Sequence, residues 1–244
     1  MGNSSHAMKG AVMTAVALFC LASGANAAEP TGAGMQASAV QMGSALAPLG
    51  MARREPAAGE AHSSWGYGGA SAPAAWEHLA AEYATCGQGR SQSPVDLRDG
   101  IDARLPTLRK SYQPSSLKVV NNGHTIQVEV EPGSTIQMRD ETFELLQYHF
   151  HHPSEHSVNG ALHVMEMHLV HRNQRGELAV VGVMLQVGKP NKALEPVFAN
   201  MPADAGAERL VADVKINPQD LLPRSEALYH YFGSLTTPPC TEGV

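Results

Sequence analysis

Gln147-Tyr148-His149-Phe150-His151 alternates polar and aromatic side chains at every step. Period-two alternation marks a strand with one face turned to a core. It puts Gln147, His149 and His151 on one side and Tyr148 and Phe150 on the other. Glu166-Met167-His168-Leu169-Val170 repeats the arrangement, with Glu166 and His168 on a polar face and Met165, Met167 and Leu169 on an apolar one. Between the two stretches, Asn159-Gly160 is the dipeptide expected at a hairpin turn. Neighbouring strands of this kind gather three imidazoles. Three neutral histidines with a fourth position open is the catalytic zinc arrangement, whereas structural zinc sites close all four positions. Gln147 and Glu166 each precede a histidine by two residues and share its face. Each can accept a hydrogen bond from the ring nitrogen turned away from a metal, which fixes the tautomer. A polar sheet face with scattered histidines would explain one His-x-His pair. It does not explain a second strand in step with the first and an acceptor beside each.

Further out, the body reads as sheet. Leu117 to Val130 alternates in its second half, with Ile126, Val128 and Val130 opposite Thr125, Gln127 and Glu129. Glu141 to His151 and Leu162 to Val170 also alternate, and Leu178 to Val187 is a near-continuous apolar run of the kind found in a buried strand. Glu131-Pro132-Gly133 and Asn173 to Gly176 supply turns. Helical patterns are short, near 74–83 and 191–200. The expected fold is mainly β (α+β), a large, mostly antiparallel twisted central sheet with a few short peripheral helices.

The 244 residues are 43% hydrophobic and 16% charged, which suits one soluble domain with a disposable extension. Seventeen basic against twenty-three acidic residues, a net charge of -6, argue against a nucleic-acid partner, which needs clustered Lys and Arg. Of twelve histidines, eight fall between His124 and His171, concentrating the chemistry in one stretch. Reading from Met8, Lys9 precedes the apolar run Ala11 to Ala22, and Ala25-Asn26-Ala27 forms a cleavage site, so residues 1–27 read as a secretory signal peptide. The run is short of the ~20 residues a spanning helix needs, so no membrane span is expected after cleavage. Ala17-Leu18-Phe19 before Cys20 lacks the small residue of a lipoprotein signal. Residues 28–61, rich in Ala, Gly, Met, Ser and Pro, read as a low-complexity linker, and residues 62–244 as the catalytic domain. The expected location is periplasmic or secreted. Cleavage leaves Cys86 and Cys240 in an oxidising compartment, where an even pair is expected to be bridged. The long loop so closed predicts a stabilisation of about 4–5 kcal/mol, less any strain.

Seven ordered motifs then resemble the α-class carbonic anhydrases, most closely their exported bacterial members. They are Trp65-Gly66-Tyr67, Gln92 to Leu97, Asn121-Asn122-Gly123-His124, Gln147 to His151, Pro153-Ser154-Glu155-His156, Glu166 to His171 and Gly233 to Cys240. The resemblance implies reversible hydration of CO2 to bicarbonate and a proton, with His149, His151 and His168 binding Zn2+ and a zinc hydroxide as the nucleophile. By the same resemblance, Thr236 takes a hydrogen bond from that hydroxide and gives its own proton to Glu155. His124 is the implied proton shuttle, since imidazole is the side chain whose unperturbed charge change falls near neutral pH. Tyr67, Asn122 and Gln127 order the intervening waters, and Val170, Val180, Leu235 and Thr237 form the substrate pocket. His156 and His171 are structural, while His78, His152, His163 and His230 face solvent or make local bonds. Cys86 and Cys240 match the disulfide that ties the N-terminal segment to the loop of Thr236. Sulfonamides and small anions are the implied inhibitors, and a monomer or homodimer the implied assembly. Family members continue beyond the position of Val244 with another strand and a long C-terminal segment. The resemblance therefore implies a domain without that segment, including the main-chain carbonyl that accepts from the histidine matched by His151. The rival expectation is an inactive or binding-only module of the same fold.

Overall fold

The computed structural model describes residues 64–225 and 227–244. The signal-peptide and linker readings, residues 1–27 and 28–61, lie outside the described residues. Eleven strands are described: β1 (Asp96–Leu97), β2 (Arg109–Ser111), β3 (Ser115–Asn121), β4 (Ile126–Glu129), β5 (Thr135–Met138), β6 (Glu141–His151), β7 (Ser157–Val158), β8 (Ala161–Leu162), β9 (Met165–Arg172), β10 (Leu178–Leu185) and β11 (Glu208–Ile216). The helices are single turns, α1 (Trp76–Leu79), α2 (Thr85–Gln88) and α3 (Glu195–Ala199), with 3-10 turns beside them. Among the described residues no helix is long and apolar enough to cross a membrane.

Eight strands form one antiparallel sheet in which β10, β9, β6, β4, β3 and β11 lie side by side, with β5 also on β6 and β2 on β5. β6 is its spine: β9 covers one edge, and β5 and β4 share the other. Its alternation is not continuous, because the pairing with β9 shifts between Leu145 and Gln147. Leu146 is the extra residue, a β-bulge that reverses the parity of everything after it. Phe143 and Leu145 before the bulge, and Tyr148 and Phe150 after it, therefore all face the core. The doubled apolar Leu145-Leu146 is the mark this leaves in the sequence.

That core joins Leu117 and Val119 of β3, Val128 of β4, Ile136 of β5 and Met167 and Leu169 of β9 to Leu194 and Val197 around α3. Phe198 closes over Phe150 at a ring distance of 5.2 Å. His171 is a fully buried polar residue on this face. Its Nδ1 donates to the Ala179 carbonyl at 3.2 Å, its Nε2 accepts from the Tyr112 hydroxyl at 2.9 Å, and burial lowers its pKa to about 4. It is neutral and structural, as expected.

The structure corrects three local readings. Asn159-Gly160 does form a hairpin turn, with both φ angles positive (51° and 80°). It joins β7 to β8, however, a two-residue ribbon that pairs with β1 in a separate small sheet, and not β6 directly to β9. Leu162 accordingly belongs to that ribbon, and β9 begins at Met165. β10 lies at the sheet edge instead of inside it, with Val183 its fully buried residue. Its apolar run has two separate uses: Val183 packs into the core, while Val180 pairs with Val170 on the opposite face.

Candidate metal centre

Strand register assembles the site. His149 pairs directly with His168 across β6 and β9, and His151 pairs with Glu166. Gln127 of β4 faces His149 from the other side, and Gly182 of β10 faces His168. The three imidazole rings lie 4.9, 5.4 and 4.7 Å apart, for 149–151, 149–168 and 151–168 respectively. One nitrogen from each falls within 4.8 Å of the other two.

Hydrogen bonding selects those nitrogens. His149 Nδ1 donates to Gln147 Oε1 at 2.9 Å, which leaves Nε2 with its lone pair. His168 Nε2 donates to Glu166 Oε1 at 2.8 Å, which leaves Nδ1. His151 has Nδ1 at 3.2 Å from Glu155 Oε1, and its buried Nε2 has no partner. An orphaned buried nitrogen costs free energy unless something binds it. Burial, then the neighbouring imidazoles, lowers His149 to about 3 and His151 to about 4, so both are neutral at pH 7. Three imidazole nitrogens converging in one site suit a small divalent cation of zinc type. His156, Glu166 and His168 also cluster closely. There the nitrogens already donate to the carboxylate, so that group is a hydrogen-bonded brace and not a second metal site.

Glu155 and Thr236 meet above the histidines. Burial pushes Glu155 up, and the Thr236 hydroxyl bonded to its carboxylate pulls it back in part. Its Oε2 is buried without a hydrogen-bond partner. Thr236 sits on a loop closed by the Cys86–Cys240 disulfide, whose Cα atoms are 5.0 Å apart. The Cys240 N–H also donates to the Thr237 carbonyl at 2.9 Å.

The remaining expected site residues fall as follows. His124 is exposed and stacks on Trp65 at 3.7 Å between ring centroids. Asn122 spends its carbonyl oxygen on the turn that carries His124, accepting from the N–H groups of His124 and Thr125. Tyr67 is raised to about 12 by burial and by the Glu155 charge, which places its phenol within reach of that carboxylate's field. Val170 and Val180 are cross-strand partners on the histidine face. Leu235 and Thr237 flank Thr236 and are partly buried. His152 bonds locally to the Val164 carbonyl and His163 to Gln186.

Sequence reasoning did not single out Tyr231, whose hydroxyl lies 2.6 Å from His156 Nε2, or Ser93, whose Oγ lies 2.8 Å from that hydroxyl. Both lie far from the histidine strands along the chain, and neither has a periodic signature.

Comparison with known proteins follows this geometry. The family model for eukaryotic-type carbonic anhydrase matches residues 71–244. A carbonic anhydrase of Nostoc sp. is 42% identical over 186 residues, covering 74% of this chain and 70% of its own length. One from Neisseria gonorrhoeae is 40% identical over 184 residues, covering 75% of this chain and 72% of its own. Among solved structures, the α-carbonic anhydrase of Thermovibrio ammonificans, in complex with the inhibitor sulfanilamide, superposes with a TM-score of 0.72 at 42% identity. That match covers 74% of this chain and 80% of the other.

Proposed function

Because the chain belongs to the eukaryotic-type carbonic anhydrase family, we propose that it hydrates carbon dioxide reversibly at a zinc ion held by His149 Nε2, His151 Nε2 and His168 Nδ1. The observation that carries the reading is the convergence of three imidazoles, each with one uncommitted nitrogen, under a half-buried Glu155–Thr236 pair. When bound, zinc supplies the nucleophile by bringing the pKa of a water to about 7, the magnitude this enzyme class provides as a standard example.

The chain's own residues supply orientation and proton handling. Gln147 and Glu166 hold the tautomers of His149 and His168, so the ligand nitrogens need no reorganisation. The Thr236 hydroxyl donates to Glu155, so its oxygen can only accept from whatever hydroxyl lies beside the histidines. That fixes which lone pair faces the substrate. Val170 and Val180, on the same face, offer apolar contact, which is all that a nonpolar triatomic substrate requires. His124 stands at the exposed rim on Trp65, where it can pass a proton to buffer. Sulfonamides, which bind the Thermovibrio relative, are the expected inhibitors here. Export from the cytoplasm fits the Cys86–Cys240 bridge, since such bonds persist in oxidising compartments.

The test is stopped-flow CO2 hydration by the zinc-loaded chain. Zinc-dependent turnover abolished by a sulfonamide is the expected result. A folded, zinc-loaded protein without turnover would leave a binding module of the same fold.

A further inference from the structure

Glu166 is fully buried, and its two oxygens are taken by four donors. The N–H groups of Glu155 and His156 donate to Oε2 at 3.0 and 2.9 Å. His156 Nδ1 and His168 Nε2 donate to Oε1, each at 2.8 Å. An ionised carboxylate only accepts, so both of these ring nitrogens carry protons. In the Nδ1–H tautomer of His156 the Nε2 atom is an acceptor, and the Tyr231 hydroxyl, 2.6 Å away, donates to it. A phenol that has given its proton must accept from its other partner, which is Ser93 Oγ at 2.8 Å. Ser93 Oγ in turn accepts from the Ser234 N–H at 3.1 Å, and Ser234 Oγ accepts from the Ser93 N–H at 2.9 Å. With that tautomer every bond in the chain has one direction, and each hydroxyl proton is used once.

The far end of this chain is the loop of Thr236, two residues after Ser234. Gly233 lets the loop approach so closely, because a Cβ there would collide with Ser93 Oγ and the Tyr231 ring. Tyr231 is itself 37% exposed, so its ring adds little to the core and its hydroxyl is its main contribution. We propose that Tyr231 is a positioning residue for the metal ligand His168: its hydroxyl ties the His156–Glu166–His168 brace to the Thr236 loop, so that metal retention depends on a group remote from the metal. The inference rests on the zinc reading above.

The test is Tyr231→Phe, which keeps the ring and removes the proton donor. Zinc release from the folded holoprotein into excess chelator is timed, and the cobalt-substituted protein is examined by visible absorption. Partners bonded directly to a metal-binding histidine change affinity by about 10–100-fold; Tyr231 stands two bonds further out, beyond Glu166 and His156, so the expected acceleration of release is about 3-fold. A shift of the cobalt bands should accompany it. Ser93→Ala should act in the same direction more weakly, and the double variant should release zinc no faster than Tyr231→Phe alone. Should Tyr231→Phe fail to fold, Ser93→Ala supplies the same readout. Release at the parental rate with unchanged cobalt bands would overturn the inference while leaving the zinc site standing. A parent chain that binds no zinc would overturn both.

Discussion

The two faces of β6 and β9 are buried to similar depth by opposite means. On one face Leu145, Tyr148, Phe150, Met167 and Leu169 are excluded from water by apolar contact. On the other, Glu166 and His168 are equally inaccessible, yet each polar atom is held by a bond of fixed direction or left facing its neighbours across the site. Apolar burial is non-directional and tolerates substitution of similar volume. A buried polar network does not, because a single missing partner leaves a desolvated group exposed to the full cost of an unmade bond. Stability and chemistry therefore occupy opposite sides of the same two strands.

The most drastic way to break that division is to delete Leu146. Without the bulge, either Phe143 and Leu145 or Tyr148 and Phe150 must leave the core, and the histidines cannot stay in register with His168. Loss of the cooperative thermal transition and of zinc binding is expected. A native-like melting temperature would show that register is set elsewhere. Next in size, Leu169→Ala should lower stability by about 2–5 kcal/mol in a denaturant titration, as other buried leucines do. Zinc affinity of the folded fraction should be unchanged, and an equal loss of affinity would mean that the two faces are not separable. The smallest effect is on pH. His149 and His151 have folded pKa values of about 3 and 4, below the unfolded value of 6.5, so the unfolded chain binds more protons as pH falls through 6.5. Zinc-free protein should therefore lose stability on acidification, continuing toward pH 4, by on the order of 1 kcal/mol between pH 7 and pH 6. Urea midpoints measured across that range would show it, and a flat profile would mean these imidazoles are not buried as described.

Much of the site was legible because a strand writes its faces into consecutive residues. His149, His151 and His168, with Gln147 and Glu166, needed only a period of two and one neighbouring strand. What escaped depended on distance along the chain. The bulge at Leu146 is invisible to a parity rule that assumes none. The ribbon β7–β8 took the turn signal at Asn159-Gly160 for itself. β11, which pairs with β3 from across most of the domain, was not anticipated, nor were Ser93 and Tyr231, whose bonds to Ser234 and His156 join segments that only folding brings together. The edge position of β10 was misread because a short apolar run looks the same whether a second strand or a substrate cavity lies beside it.

The direct pairing of His149 with His168 has a consequence for protein engineering. Directly opposed residues on antiparallel strands have Cα atoms about 4.5–5.5 Å apart, and alternate residues along one strand about 6.5–7 Å apart. The triangle drawn by the three histidines is thus a property of any regular antiparallel ladder, not a shape sculpted by loops. A designer could transplant it as a short stencil, His-x-His on one strand against Glu-x-His on the next in this register, onto an unrelated sheet. The pleat would do the measuring.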